Sequence, residues 1–130
     1  PYQSLWDDYV KRLGWRINLI EFTHKDSAKV NRQIEEKLSP SAFTYILDET
    51  GRTLPSQKLA ARINKHGLHG QSHLQFVIGP HDGLSPSLKK NAGFLLSFGE
   101  QTWPHMLIRI MLIEQLYRAQ QINAGHPYHK

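Results

Sequence analysis

Apolar positions along this chain switch repeatedly between the period of a helix and the short runs of a buried strand. Trp6, Tyr9, Val10 and Leu13 fall at i, i+3, i+4 and i+7 and are followed by Gly14, which predicts an amphipathic helix closed by a glycine. The run 16–22 (RINLIEF) is rich in β-formers and predicts a strand. Val30, Ile34 and Leu38 mark one stripe of a helix ended by Pro40. Residues 43–48 (FTYILD) form a buried strand, Gly51 turns the chain, and Pro55-Ser56 opens a helix that ends at Gly67. The pattern then repeats, with a strand at 74–79 (LQFVIG), a short helix opened by Ser85-Pro86 and stopped near Gly93, and a strand at 94–98 (FLLSF). From Pro104 to Ile122 there is no glycine and apolar residues occupy most of the circumference, so a long, largely buried helix is expected before a polar tail at 123–130.

Strands alternating with helices place the chain in the α/β class, with a mostly parallel sheet and helices on both faces. Its 130 residues suit a single domain. Ligands of such sheets bind beyond the carboxyl ends of the strands, so 48–53, 79–84 and 99–105 are the segments of interest.

Composition removes several chemistries. The chain has no cysteine, which excludes disulfides, thiolate metal sites and cysteine nucleophiles, and agrees with a cytoplasmic location. The longest apolar run, 106–113, is interrupted by Arg109 and is too short to span a membrane. The acidic residues near the start argue against a signal peptide, and the absence of an initiator Met suggests that native N-terminal residues are missing. Eight histidines include no His-Glu-x-x-His pattern, so no metal is expected. No Gly-x-Ser-x-Gly elbow is present. A formal charge of +5 at pH 7 points toward an anionic partner such as nucleic acid.

Four features could carry chemistry. The loop 79–85 has glycines that permit close approach to its backbone, although a plain turn needs the same residues. His105 opens the longest helix beside Trp103 and Pro104, where it could act as a base, as a polar contact or simply in packing. Arg109 and Glu114 are charges in an apolar stretch, serving either an anionic ligand or an ion network that includes Arg118. The tail GHPYHK (125–130) combines aromatic, imidazole and ammonium groups suited to unpaired bases and phosphates, though a terminus is ordinarily disordered.

Taken together, VIGPHDGLS (77–85), LSFGEQTWPHMLIRIMLIEQLYRA (96–119) and GHPYHK (125–130) resemble the ribosomal RNA large-subunit pseudouridine N3-methyltransferases of the SPOUT superfamily. The resemblance runs from about Trp6 to the C-terminus and is most specific in the last fifty residues. It implies one SPOUT methyltransferase domain over residues 1–130, with a C-terminal trefoil knot that the periodicity itself does not indicate. It also implies a homodimer, S-adenosyl-L-methionine as cofactor, and 23S rRNA of the large subunit or assembled ribosome as substrate. Matched residue by residue, the cofactor positions are Leu47, Gly79, Phe98, Gly99, Glu100, Gln101, Thr102 and Trp103. These lie at the strand ends already singled out. His105 is then the polar or basic group, with Arg109, Tyr128, His129 and Lys130 positioning RNA and Glu114 orienting Arg109 or Arg118. Two departures stand out: Pro80-His81 occupies a place where many relatives have a second glycine, and Lys130 replaces a common arginine, losing bidentate phosphate contact. Relatives begin with a further strand that is missing here. The competing readings are a non-catalytic RNA-binding or ribosome-associated α/β module and a flavodoxin-like nucleotide binder, the latter lacking a phosphate cradle.

Overall fold

A computed structural model describes residues 1–80 and 83–129, the latter without the His129 side chain. The elements are α1 (Tyr2–Arg12), α2 (Ser27–Lys37), β1 (Phe43–Thr53), α3 (Ser56–Leu68), β2 (Leu74–Ile78), α4 (Pro86–Lys90), β3 (Phe94–Ser97), α5 (His105–Asn123) and a 3-10 turn (Pro127–His129). They fall into two compact units. One comprises residues 1–18, 54–70 and 103–130; the other comprises 19–53 and 71–102.

The second unit contains a parallel three-stranded sheet in the order β2-β1-β3. The α/β class and parallel sheet expected from the sequence are present. Strand alternation sorts the side chains of β1. Ile46 packs with Val77, Val30 and Ile34 of α2 and Leu88 of α4, joined by Phe22, Leu38, Leu84, Ala92 and Leu95. The neighbouring Tyr45 is fully buried and its register partners are Phe76 and Phe94. It stacks on Phe76 at 4.9 Å and meets Phe94 at 5.7 Å.

Polar ties fix the helices of this unit. Asp26 caps α2 by accepting from the Ala28 N–H at 3.0 Å. Buried Asn31 donates to Ser27 O at 2.7 Å and accepts from the Ser85 N–H at 2.7 Å, anchoring the residue that caps α4.

In the first unit, Leu59, Ala60 and Ile63 of α3 and Leu112, Ile113, Leu116 and Ala119 of α5 are buried. Ser56 Oγ donates to Gln115 at 2.6 Å, and Asn123 donates to the Ala60 carbonyl at 3.0 Å. The end of α5 folds back through a Schellman turn: Gly125 has φ +74°, with its N–H on Ile122 O at 3.0 Å and the His126 N–H on Gln121 O at 2.9 Å.

Four expectations change. Strand β1 runs on past its expected end at Asp48, through Gly51, to Thr53, where it pairs with β3 again. Segment 16–22 is irregular rather than a strand, because β-forming residues become a strand only where another strand accepts their ladder; Leu19 and Ile20 are exposed. Helix α1 ends with Leu13 in an extended conformation, and the Gly14 N–H bonds to Gln120 Oε1 at 3.2 Å, so this glycine forms no left-handed cap. Gly67 lies inside α3, and the left-handed glycine beyond that helix is Gly70.

Candidate functional site

The parallel register brings Leu47, Gly79, Phe98 and Gly99, four of the positions expected to hold the cofactor, to the carboxyl ends of the strands. Leu47 pairs with Ile78 on β2 and with Leu96 on β3, so the chain leaves β2 into Gly79 and β3 into Phe98 and Gly99 beside the same stretch of β1. Leu47, Gly79, Phe98 and Gly99 are half-buried, while Glu100, Gln101 and Thr102 are exposed.

Here β1 breaks register. Both Leu47 and Arg52 pair with Leu96, so Asp48, Glu49, Thr50 and Gly51 form an excursion between them. Gly51 permits it, since a Cβ there would lie 2.6 Å from the Leu95 carbonyl oxygen. Asp48 accepts from the Thr50 hydroxyl at 2.9 Å and the Thr50 N–H at 3.3 Å, and pairs with Lys89 at 3.2 Å. Burial alone would raise the Asp48 carboxyl, but the Thr50 and Lys89 interactions outweigh it and hold the group below its ordinary value. The Ser97 hydroxyl lies 3.2 Å from Glu49 O and 3.0 Å from Gly99 O, and accepts from the Gly99 N–H at 3.0 Å. Thr102 donates to the Glu49 carboxylate at 3.2 Å. These contacts hold the exits of β1 and β3 together.

The glycines act differently. Gly99 has φ +115° with open space around the position of a Cβ, so glycine is required by the backbone and leaves the surface clear. At Gly79 a Cβ would fall 2.5 Å from Leu84 Cγ, so the loop's own packing demands glycine there. Immediately after the exposed segment, the Trp103 indole N–H is buried with no hydrogen-bond partner among the described residues.

In the helical unit, His105 is exposed at the first residue of α5, and Arg109 lies half-buried one turn later. Glu114 pairs with Arg118 through contacts of 2.9 and 3.1 Å, which makes it the orienter of Arg118. The Arg118 guanidinium sits 5.0 Å from the Tyr128 ring centre, and Tyr117 meets the same ring edge-on at 4.8 Å. Burial, followed by a hydrogen bond with Tyr9, pushes the Tyr128 phenol up to about 12. Tyr128 is therefore a neutral, packed anchor near neutral pH. Lys130 and the His129 side chain lie outside the described residues.

Sequence reasoning singled out Tyr128 but not Asp48, Lys89 or Ser97, nor the packing of Tyr128 with Tyr9 and Tyr117. Asp48, Lys89 and Ser97 act through contacts made only by the folded register, whereas the aromatics were visible as residue types without a visible docking geometry.

A model described as predicted SPOUT methyltransferase matches residues 1–129. The chain belongs to the SPOUT methyltransferase family. Proteins named ribosomal RNA large subunit methyltransferase H are similar along almost its entire length. That of Bifidobacterium adolescentis is 41% identical, with 95% of this chain and 87% of the relative covered. The Rhodospirillum centenum protein is also 41% identical, over 100% of this SPOUT chain and 90% of the relative. Among solved structures, Archaeoglobus fulgidus Nep1 bound to S-adenosylhomocysteine has a TM-score of 0.45 and 13% identity, over 69% of this chain and 37% of that one. No helix among the described residues of this SPOUT protein is long and apolar enough to cross a membrane, and no group of three or more candidate ligands among them could hold a metal ion.

Proposed function

We propose that this protein transfers a methyl group from S-adenosyl-L-methionine to N3 of a pseudouridine in 23S rRNA of the large ribosomal subunit, acting in the cytoplasm as a homodimer. What carries this reading is similarity to large-subunit rRNA methyltransferases over 95–100% of the chain. The trefoil knot and the single methyltransferase domain belong to the same reading.

The cofactor fits the strand-end edge. Leu47 and Phe98 offer apolar cover, the open Gly99 lets a ligand reach the backbone, and the exposed 100–102 segment presents amides and carbonyls that can read an adenine edge. The Trp103 indole N–H, buried without a hydrogen-bond partner among the described residues, is a donor that an acceptor could satisfy. When bound, S-adenosyl-L-methionine supplies a methyl group activated by its sulfonium.

The remaining task falls to the chain. An imide N3 is a poor nucleophile until its proton leaves, so a base and nearby positive charge lower the barrier. His105 takes that proton, and Arg109 stabilises the developing negative charge. Tyr128, anchored by Tyr117 and Arg118, sets the course of the tail, whose His129 and Lys130 contact RNA.

Calorimetric titration with S-adenosyl-L-methionine, using NADH and FMN as controls, tests the cofactor. Methylation of large subunits followed by nucleoside mass spectrometry tests the target. Selective cofactor binding with a methyl group on pseudouridine N3 is expected. A folded protein that ignores the cofactor yet binds RNA is instead a non-catalytic RNA-binding module.

A further inference from the structure

Helix α3 has the sequence SQKLAARINKHGL and contains no acidic residue. Lys58, Arg62 and Lys65, followed by the cap residue His69, recur at spacings of four, three and four, which places them along one face of the helix. Lys58, Lys65 and His69 are exposed; Arg62 and the adjoining His66 are half-buried. Leu59, Ala60 and Ile63 are buried, so the charged stripe has its own solvent-facing side. The local field is positive: burial first, then the charges of Arg62 and His69, lower the His66 pKa.

We propose that this face of α3 is an RNA-backbone docking surface, built from residues other than those assigned above to the cofactor, to α5 and to the tail. The inference rests on the large-subunit rRNA reading and gives that RNA a second point of attachment. At 1.5 Å per residue, Lys58 to His69 spans about 16 Å. One strand of a duplex carries a phosphate about every 3.4 Å along its axis, so the stripe matches about five phosphates. Lysine supplies point charges without bidentate geometry, which suits phosphate positioning rather than base reading. The stripe has no aromatic or methionine anchor of the kind enriched at protein–protein interfaces, so an acidic protein fits it less well.

The test uses the full chain and its K58Q/K65Q variant, since glutamine preserves helix propensity. K29Q/K37Q, from exposed positions on α2, removes the same charge elsewhere. Filter retention of 23S rRNA is measured from 50 to 300 mM KCl, together with S-adenosyl-L-methionine affinity. The expected result is at least tenfold weaker rRNA binding by K58Q/K65Q at 100 mM KCl. Its slope of log affinity against log salt falls by about 1.5, at 0.7–0.9 per lost phosphate contact. Cofactor affinity stays unchanged, and K29Q/K37Q resembles the parent. Equal rRNA binding by K58Q/K65Q and the parent, or an equal loss in K29Q/K37Q, overturns the surface while leaving the rRNA reading intact. If the parent binds cofactor but retains no rRNA, the rRNA reading fails and takes the surface with it. Lys58- and Lys65-dependent binding of polyglutamate in place of rRNA assigns the face to an acidic protein and overturns the proposal.

Discussion

At the scale of single residues, His105 is the proposed chemical group and Asp48 a support of the fold. Replacing His105 with alanine is expected to lower methylation of large subunits by about 10²–10⁴-fold, the usual contribution of a positioned base, while calorimetric cofactor affinity stays unchanged. Asp48 works through stability. Its folded pKa lies below the ordinary carboxyl value, so its contribution is present above that ordinary value and is lost as pH falls through the lower folded one. Lys89→Met removes the partner at 3.2 Å, raises the Asp48 carboxyl and moves the acid-unfolding midpoint upward, readable by circular dichroism. In the sequence, His105 stood out by its place beside Trp103 and Pro104 at the opening of the longest helix, which by itself left base, polar contact and packing open; the family resemblance selected the first two. Asp48 did not stand out, because its value depends on Thr50 and Lys89, and the latter comes from a different element.

Among the elements, the end of α5 shows how a short sequence becomes a fixed tail. Gly125 adopts φ +74°, and the turn it closes returns Tyr128 to Tyr117 and Arg118 of the helix just completed. Gly125→Ala is expected to cost about 1–2 kcal/mol at that turn, and Tyr128→Leu removes the ring contacts directly. Either change should accelerate proteolysis of the tail and lower the methylation rate, with little effect on far-UV circular dichroism. Strands β1 to β3 and helices α2 to α5 could be read from periodicity and caps because each has a clear local signal, such as Ser85-Pro86 at α4. RINLIEF could not. Its composition is that of a strand, but pairing is a property of two segments, and no local pattern reports whether the second is there.

For the molecule as a whole, ligand binding and folding share one equilibrium. With S-adenosyl-L-methionine at 100 times its dissociation constant, linkage gives about 2.7 kcal/mol of added stability, and a chain of this size should melt several degrees higher; NADH should produce no shift. Two arguments from the sequence met at the proposed cofactor edge, the strand-end rule and the match at Leu47, Gly79 and 98–103, and the parallel register brings Leu47, Gly79, Phe98 and Gly99 to neighbouring strand ends. The α3 stripe was equally present in the residues, yet a run of lysines, arginines and histidines acquires direction only once the helix and its buried side are known. The break in β1 has a different consequence. Leu96 faces both Leu47 and Arg52, so the stretch from Asp48 to Gly51 can change length while the ladder on either side keeps its register. A glycine inserted between Glu49 and Thr50 should leave the melting temperature almost untouched, because slight loop lengthening adds little closure entropy, yet change cofactor affinity severalfold. That would make the excursion a slot in which length can vary at the proposed ligand edge while the paired strands on either side stay as they are.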